Sequence, residues 1–272
     1  MIPLEDNAAD IIGKAQRGLG ISDSELSKKA GVSAQTVRKL REGDFDKSAL
    51  LSIAPVLGLD EPALCEIAQG QWHPNKIESF EGLAQFTTDY SGMAVNAYLV
   101  WDPTSRVAAV FDTGAESREM VRFANHHNLD VQLILLTHAH PDHVADLPSL
   151  REETGGDVFT PAREPVPGAE PIEEGKQFRL GNLHIDTRLT WGHSPGGMTY
   201  VVTGLARPIA IVGDSLFAGS MGGGNVSYRD ALGNNREKIL TLPDETIICP
   251  GHGPMTTVGE EKQHNPFFAG KL

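Results

Sequence analysis

The stretch of this chain with the clearest chemical character is Thr137-His138-Ala139-His140-Pro141-Asp142-His143, which follows an apolar run. Imidazole and carboxylate groups in combination suit zinc, iron or manganese. His138 and His140 alternate along an extended segment and therefore face the same side. Asp142 and His143 come from the turn that follows and can address a second point. The spacing therefore predicts one short loop that serves two metal ions.

Three more side chains that can bind metal follow strand-like runs downstream, each inside a glycine-rich segment. They are His193 in Gly192-His193-Ser194-Pro195-Gly196, Asp214 in Gly213-Asp214-Ser215-Leu216-Phe217, and His252 in Pro250-Gly251-His252-Gly253-Pro254. Glycine lets the backbone turn sharply and approach a site closely. These contexts predict that all three residues join the cluster around His138. The other histidines lack such a context, and we expect surface or structural roles for His73, His126, His127, His184 and His264.

The first part of the chain, residues 8–70, is predicted to be helical throughout, because apolar positions recur at steps of three and four residues. Ser22 stands three residues before Glu25, which is a capping-box signature for a helix start. Ser33 can cap the next helix in the same way. We therefore assign a helical domain to residues 1–70, followed by a linker at 71–80.

After the linker the pattern changes to short apolar runs that alternate with helical stretches. Helices are expected near 117–128 and 143–153. Strands are expected at 96–100, 107–111, 132–136, 156–159, 183–189, 198–203, 208–212 and 246–249. Strands mixed with helices, without strict alternation, indicate a layered α/β or α+β domain. We place this second domain, the predicted catalytic domain, at residues 81–272, where the motifs around His138, His193, Asp214 and His252 lie.

The order of these motifs resembles that of the metallo-β-lactamase superfamily over about residues 81–272. Phe111-Asp112-Thr113-Gly114 also resembles an early strand-end motif of that fold. The resemblance implies an α+β fold, an αββα sandwich with the site at one edge of two sheets. It further implies that Asp112 orients the histidine loop. The implied ligands are His138, His140 and His193 for one metal and Asp142, His143 and His252 for the other, with Asp214 between the two.

This resemblance implies two divalent metal ions, for which we expect zinc, with iron and manganese as alternatives. The metals would activate a water for attack on a substrate carbonyl. Asp142 and Asp214 are the expected catalytic carboxylates, and no protein nucleophile is required. The expected activity is that of a metal-dependent hydrolase.

The segment that begins at Gly251 is similar to the ends of glyoxalase II-like thioesterases, which predicts a thioester or a related ester or lactone as substrate. Two features depart from typical glyoxalase II enzymes. Gly197 stands where they usually have a second histidine, and we expect no long C-terminal helical extension to grip glutathione, since only 20 residues follow His252. The alternative is a persulfide dioxygenase-like enzyme with a single iron on His138, His193 and Asp214.

A glycine-rich loop follows Asp214 and contains two side chains that we assign to substrate binding, Tyr228 and Arg229. The flexibility of such a loop would let it line the substrate pocket. The alternative is an ordinary exposed connection.

The helical domain contains a segment, residues 21–43, that resembles the helix-turn-helix of lambda-repressor-like proteins. The resemblance implies that the helix after Ser33 enters a major groove, with base-edge or phosphate contacts from Gln35, Thr36, Arg38, Lys39 and Arg41. The alternative is a role in assembly or dimerisation, and we expect a homo-oligomer. A third hypothesis is a DNA-binding regulator whose metal domain acts as a sensor.

The distribution of charge and the composition of the chain limit these hypotheses. Residues 1–76 hold nine of the 23 Lys and Arg residues and eleven of the 36 Asp and Glu residues, so the remainder carries −11 of the net charge of −13. That acidity argues against general polyanion binding by the catalytic domain. No apolar run is long enough to span a membrane, the N-terminus lacks a signal-peptide pattern, and only two cysteines occur. We therefore expect a cytoplasmic protein with a small-molecule substrate.

Overall fold

A computed structural model describes residues 2–271 and contains two six-stranded β-sheets. The first sheet consists of β1 (Leu83–Tyr90), β2 (Met93–Trp101), β3 (Val107–Phe111), β4 (Asp130–Leu135), β5 (Asp157–Pro161) and β6 (Glu170–Ile172), in this order. The second consists, from edge to edge, of β12 (Thr256–Thr257), β11 (Ile247–Pro250), β10 (Ile209–Gly213), β9 (Met198–Thr203), β8 (Leu183–Leu189) and β7 (Gln177–Leu180).

The two sheets pack face to face through one apolar core. Tyr98, Phe111 and Leu135 of the first sheet belong to the same buried cluster as Tyr200 and Ile211 of the second. Strand β3 pairs parallel to β4, and β10 pairs parallel to β11. The carboxyl ends of parallel neighbours lie at the same edge of a sheet, so the segments after these four strands are brought together in pairs.

Helices cover the outer face of the first sheet. They are α6 (Arg118–His126) and α8 (Leu147–Thr154), with the short α7 (Pro141–Val144) before α8. The single helix predicted near 143–153 is thus two helices. Pro148 lies in the first turn of α8, and a proline there cannot continue a preceding helix because it lacks the N–H group.

The N-terminal helices form as the sequence predicts. They are α1 (Ala8–Leu19), α2 (Asp23–Ala30), α3 (Ala34–Arg41), α4 (Lys47–Ile53) and α5 (Glu61–Ala68). The capping box of Ser22 and Glu25 at the start of α2 is confirmed, as is the cap that Ser33 provides for α3. Within residues 2–271, none of the helices combines the length and the apolar character that a bilayer crossing requires.

These N-terminal helices share a core with the second sheet. One continuous buried cluster joins Ile12 of α1 and Leu64 of α5 to Val212 of β10, Ile248 of β11 and the C-terminal Phe268. The same cluster includes residues of α9 (Tyr228–Asn234), of the π-helical turn Asn235–Ile239 and of α10 (Val258–His264). The outer face of the second sheet is apolar and must be covered. The N-terminal helices therefore cover the outer face of the second sheet.

The segment predicted as a linker, 71–80, contains no helix or strand but is packed against the catalytic part. The Trp72 ring is 9% exposed and stacks on His264 of α10 with 5.4 Å between ring centroids. The Asn75 backbone N–H donates to the Glu260 carboxylate at 2.7 Å. The segment is therefore held against α10 at Trp72 and Asn75.

Candidate metal centre

The structure brings all seven predicted metal-binding side chains to one edge of the two sheets. They come from the segments that follow β4, β8, β10 and β11. The side chains form two groups within which possible ligand atoms lie no more than 4.8 Å apart. The first group is His138, His140, His193 and Asp214, and the second is Asp142, His143 and His252.

The Asp214 carboxylate lies between the two groups. Its Oδ2 is 3.3 Å from Nε2 of His193 and 3.4 Å from Nε2 of His252, and its Oδ1 is 3.4 Å from Nε2 of His143. The carboxylate of Asp142 is 3.3 Å from Nε2 of His252. One carboxylate therefore contacts both groups, as a ligand that bridges two cations must.

Four of the five imidazoles have a hydrogen-bond partner at Nδ1. This contact directs Nε2 into the cluster. The Nδ1 partners are the Thr137 hydroxyl for His138, the Asp112 carboxylate for His143, the Gly223 carbonyl for His193 and the Ala94 carbonyl for His252. Such contacts fix the tautomer and the ring orientation of metal-binding histidines. In the fifth, His140, it is Nδ1 that faces the cluster, 3.0 Å from Nε2 of His138 and 3.1 Å from Nε2 of His193.

Asp112 acts as the predicted support for the histidine loop. Its carboxylate accepts hydrogen bonds from the Thr137 backbone N–H and the Thr137 hydroxyl, both at 2.7 Å, and lies 2.8 Å from Nδ1 of His143. The residue itself adopts a left-handed backbone conformation with φ of 59°. A non-glycine residue in that region is uncommon and persists where the surrounding contacts compensate for its strain.

The electrostatics of the cluster favour cations. Burial disfavours ionisation of Asp214, yet the charges of His143 and His252 outweigh it and hold the pKa of Asp214 well below its usual range. Burial also opposes protonation of the two histidines, but the Asp214 charge raises the pKa of His143 to about 10 and that of His252 to about 11. The pKa of His138 is lowered, chiefly by burial. Positive charge is thus stabilised between Asp142 and Asp214.

Two buried atoms of the cluster support the presence of metal ions. Nε2 of His143 and Oδ1 of Asp214 have no hydrogen-bond partner among the described residues, although both are inaccessible to solvent. Buried polar atoms are rarely left unpaired, because that costs about 1–3 kcal/mol. Metal ligation would satisfy both atoms. The imidazole and carboxylate donors are also those that zinc, iron and manganese accept.

Two supporting residues were not predicted from the sequence. The Glu164 carboxylate accepts from the Ser194 hydroxyl at 2.7 Å and from the Gly196 N–H at 2.8 Å, and so holds the segment after His193. The Asn96 amide donates to the carbonyls of Pro250 and Gly253 on either side of His252. Both contacts join residues far apart in the sequence and carry no local signal.

The two residues assigned to substrate binding lie on α9. The Tyr228 ring packs against Gly18 of α1 and lies 6.5 Å from the Phe267 ring, between the catalytic part and the N-terminal helices. This apolar packing orients the ring towards α1. Arg229 is exposed. A role in substrate binding stays a prediction for both residues.

The residues proposed for DNA contact all lie on α3. Gln35, Arg38 and Lys39 are exposed, and Thr36 is half-buried, with its backbone N–H capped by Ser33. Arg41 was expected to contact phosphate, but its side chain is bonded to another residue of the chain. Its guanidinium donates to the Gln16 side chain at 3.0 Å and is therefore engaged within the chain.

Comparison with known proteins agrees with this geometry. Residues 90–252 match the family model of the metallo-beta-lactamase superfamily, which is more than half of the chain. The chain belongs to this superfamily. It is 33% identical over 187 residues to the probable metallo-hydrolase YqgX of Bacillus subtilis, which covers 59% of this chain and 87% of that protein. It is 28% identical over 201 residues to the hydroxyacylglutathione hydrolase GloC of Haemophilus influenzae, with 65% and 93% covered.

Solved structures of the same superfamily are similar in fold. The BLEG-1 B3 metallo-beta-lactamase superimposes with a TM-score of 0.62 at 29% identity and covers 69% of this chain and 100% of its own. The di-iron-bound form of TTHA1623 superimposes with a TM-score of 0.56 at 29% identity and covers 67% and 100%. About a third of this chain lies outside each superposition, which is enough to include the N-terminal helices.

Proposed function

We propose that the protein is a hydrolase that uses two divalent metal ions to cleave a thioester or a related ester or lactone. The observation that carries this proposal is the pair of side-chain groups joined by Asp214, one of which is completed by Asp142, His143 and His252. The similarity to the hydroxyacylglutathione hydrolase GloC supports a thioester as substrate. Zinc is the metal we expect, with iron and manganese as alternatives.

Each residue has a definite task in this proposal. Bound divalent ions would lower the pKa of a water and polarise the substrate carbonyl. Asp214 holds negative charge between the two groups, and Asp142 places a second carboxylate beside His252. Asp112 keeps the proton of His143 on Nδ1, so that Nε2 stays free for ligation. The chain itself offers a preformed set of donors, so little reorganisation is needed on binding.

The test combines metal analysis with a hydrolysis assay. We expect the purified protein to contain close to two transition-metal ions per chain and to hydrolyse thioesters. His140→Ala removes one donor and should lower the metal content and abolish hydrolysis, whereas His184→Ala, an exposed histidine on β8, should change neither. Hydrolysis by metal-free wild-type protein would contradict the proposal.

The alternative, a single-iron persulfide dioxygenase, requires only three of the seven side chains. The second group of Asp142, His143 and His252 is fully assembled, which favours two metal ions. An oxygen-electrode measurement with iron-loaded protein and a glutathione persulfide separates the two activities. Steady oxygen consumption, together with one iron per chain, would replace the hydrolase proposal.

We also propose a second role, DNA binding through α3. The observation in its favour is the exposure of Gln35, Arg38 and Lys39 on a helix that packs mainly against α1, α2 and α4. Arg38→Ala and Lys39→Ala should each reduce the slope of the salt dependence by about one, and Gln35→Ala should relax sequence preference. The measurement is a mobility-shift titration with genomic fragments at low salt. The absence of a retarded band at micromolar protein would contradict DNA binding and leave a role in assembly as the better account.

A further inference from the structure

The first residues of the chain lie against the metal-binding loop. We call residues 2–6 the N-terminal segment. An ideal Cβ placed on Gly253, the residue after His252, would lie 3.2 Å from the Glu5 backbone nitrogen and 3.5 Å from Glu5 Cβ. It would also lie 3.7 Å from the Pro3 carbonyl oxygen. The N-terminal segment therefore runs across this loop in van der Waals contact with it.

The N-terminal segment is fixed at both ends. At its start, the Ile2 carbonyl lies 3.0 Å from Nε2 of His73. At its end, the buried Asp6 carboxylate accepts from the Ser220 hydroxyl at 2.5 Å and forms an ion pair with Lys14. Ser220 belongs to the segment that follows Asp214. The position of residues 3–5 beside His252 is thus set by contacts on either side.

Lys14 of α1 connects this arrangement to the metal centre. Its ammonium donates to the Met221 carbonyl at 2.9 Å and lies 5.0 Å from the centre of the Phe217 ring. The Phe217 ring in turn lies 5.8 Å from the His252 ring. The first helix and the N-terminal segment therefore border the same side of the metal centre.

The two acidic residues of the N-terminal segment differ in how their charge is balanced. Asp6 is paired with Lys14, whereas the ion pairs formed by residues 2–271 do not include Glu5. Glu5 is half-buried, and its carboxyl is close enough to His252 and Asp214 for their charges to act on it. Burial raises the pKa of Glu5, and the charge of His252 opposes that rise. The carboxyl of Glu5 therefore lies close to His252 without forming an ion pair among residues 2–271.

We propose that Glu5 is a specificity-determining residue, whose carboxylate beside the His252 loop favours cationic and neutral substrates over anionic ones. The proposal rests on the proposed hydrolase function. Two unit charges several ångströms apart near a protein surface interact strongly enough to change relative affinity about tenfold. Glutathione thioesters carry net negative charge, so Glu5 would disfavour them. A substrate with a cationic or neutral thiol part fits the site better.

The test uses acetyl thioesters that share one acyl group and differ in the charge of the thiol. Acetylthiocholine is cationic, the N-acetylcysteamine thioester is neutral and S-acetyl-3-mercaptopropionate is anionic. We expect wild-type holoprotein to show the highest kcat/KM for the cationic ester. Glu5→Gln should shift the ratio of cationic to anionic kcat/KM about tenfold towards the anionic ester. Glu152→Gln, which removes an exposed charge on α8, should leave that ratio unchanged.

A second measurement does not depend on hydrolysis. Titration calorimetry of the zinc-loaded protein gives dissociation constants for the free thiols thiocholine and 3-mercaptopropionate. The same shift in Glu5→Gln supports the proposal even if no thioester is cleaved, in which case only the hydrolase function fails. An unchanged ratio in Glu5→Gln, an equal shift in Glu152→Gln, or no binding of either thiol by wild type overturns the role of Glu5.

Discussion

At the scale of single residues, the proposed function requires that Asp112 holds His143 in one tautomer. In Asp112→Asn, an amide N–H would face Nδ1 of His143 in place of the carboxylate oxygen that lies there at 2.8 Å. The imidazole would then carry its proton on Nε2, the atom that points into the cluster. We expect affinity for the ion held by Asp142, His143 and His252 to fall about 10–100-fold, measured by competition with a chelator.

The control for this prediction is Asp157→Asn, at the exposed start of β5, which removes the same charge without touching the cluster. It should bind metal as the wild type does. A folded Asp112→Asn protein with unchanged metal affinity would show that the tautomer of His143 is set by other groups.

At the scale of elements, the parallel ends of β10 and β11 must approach each other closely. The Gly251 backbone N–H donates to the Gly213 carbonyl at 2.9 Å. An ideal Cβ on Gly251 would lie 2.2 Å from Oδ1 of Asp214 and 2.6 Å from Cε1 of His143. Gly251→Ala must therefore displace metal-binding side chains. We expect a lower metal content and a loss of turnover of at least about a hundredfold, because displacements of about 1 Å have that effect.

A matched substitution, Gly233→Ala in α9, has no atom within 4 Å of the added Cβ. It should retain wild-type metal content and turnover and gain about 0.5–1 kcal/mol of stability, since alanine is the better helix residue. Metal analysis, turnover and thermal unfolding of both variants form the test. Wild-type metal content and turnover in Gly251→Ala would refute the close approach of the two strand ends.

At the scale of the whole molecule, the shared core predicts that the N-terminal helices and the catalytic part unfold together. Leu64 of α5 is fully buried in the cluster that reaches β10 and β11. Leu64→Ala should lower the free energy of unfolding by about 2–5 kcal/mol in one transition. Urea unfolding followed by far-ultraviolet circular dichroism and by tryptophan fluorescence checks that the two signals coincide.

The control is Leu51→Ala on α4, where the side chain is 39% exposed and little buried area is lost. Its midpoint should stay close to that of the wild type. Two separate transitions, of which Leu64→Ala shifts only one, would mean that the helices form an independent unit. The sequence predicts such an independent unit, because a linker at 71–80 and a change of pattern are what a local analysis detects.

The sequence by itself determined the candidate ligands and the elements with strong local signals. Seven candidate metal-binding side chains lie in segments that follow strand-like runs, and Ser22 and Ser33 cap helices through neighbours three residues away. Strand β3 was predicted with its observed bounds, Val107–Phe111. Strand β1 was missed, since it lies at a sheet edge and its side chains are only half-buried, so that it lacks a clear apolar pattern.

Only the tertiary structure decided how distant parts of the chain combine. Glu5 beside His252, Glu164 beneath the segment after His193, and Tyr228 against α1 each depend on packing between residues far apart in sequence. Periodicity and spacing report which face of one element is apolar, but not which element covers it. The N-terminal helices cover the apolar outer face of the second sheet, and the segment before them places Glu5 against the loop that contains His252.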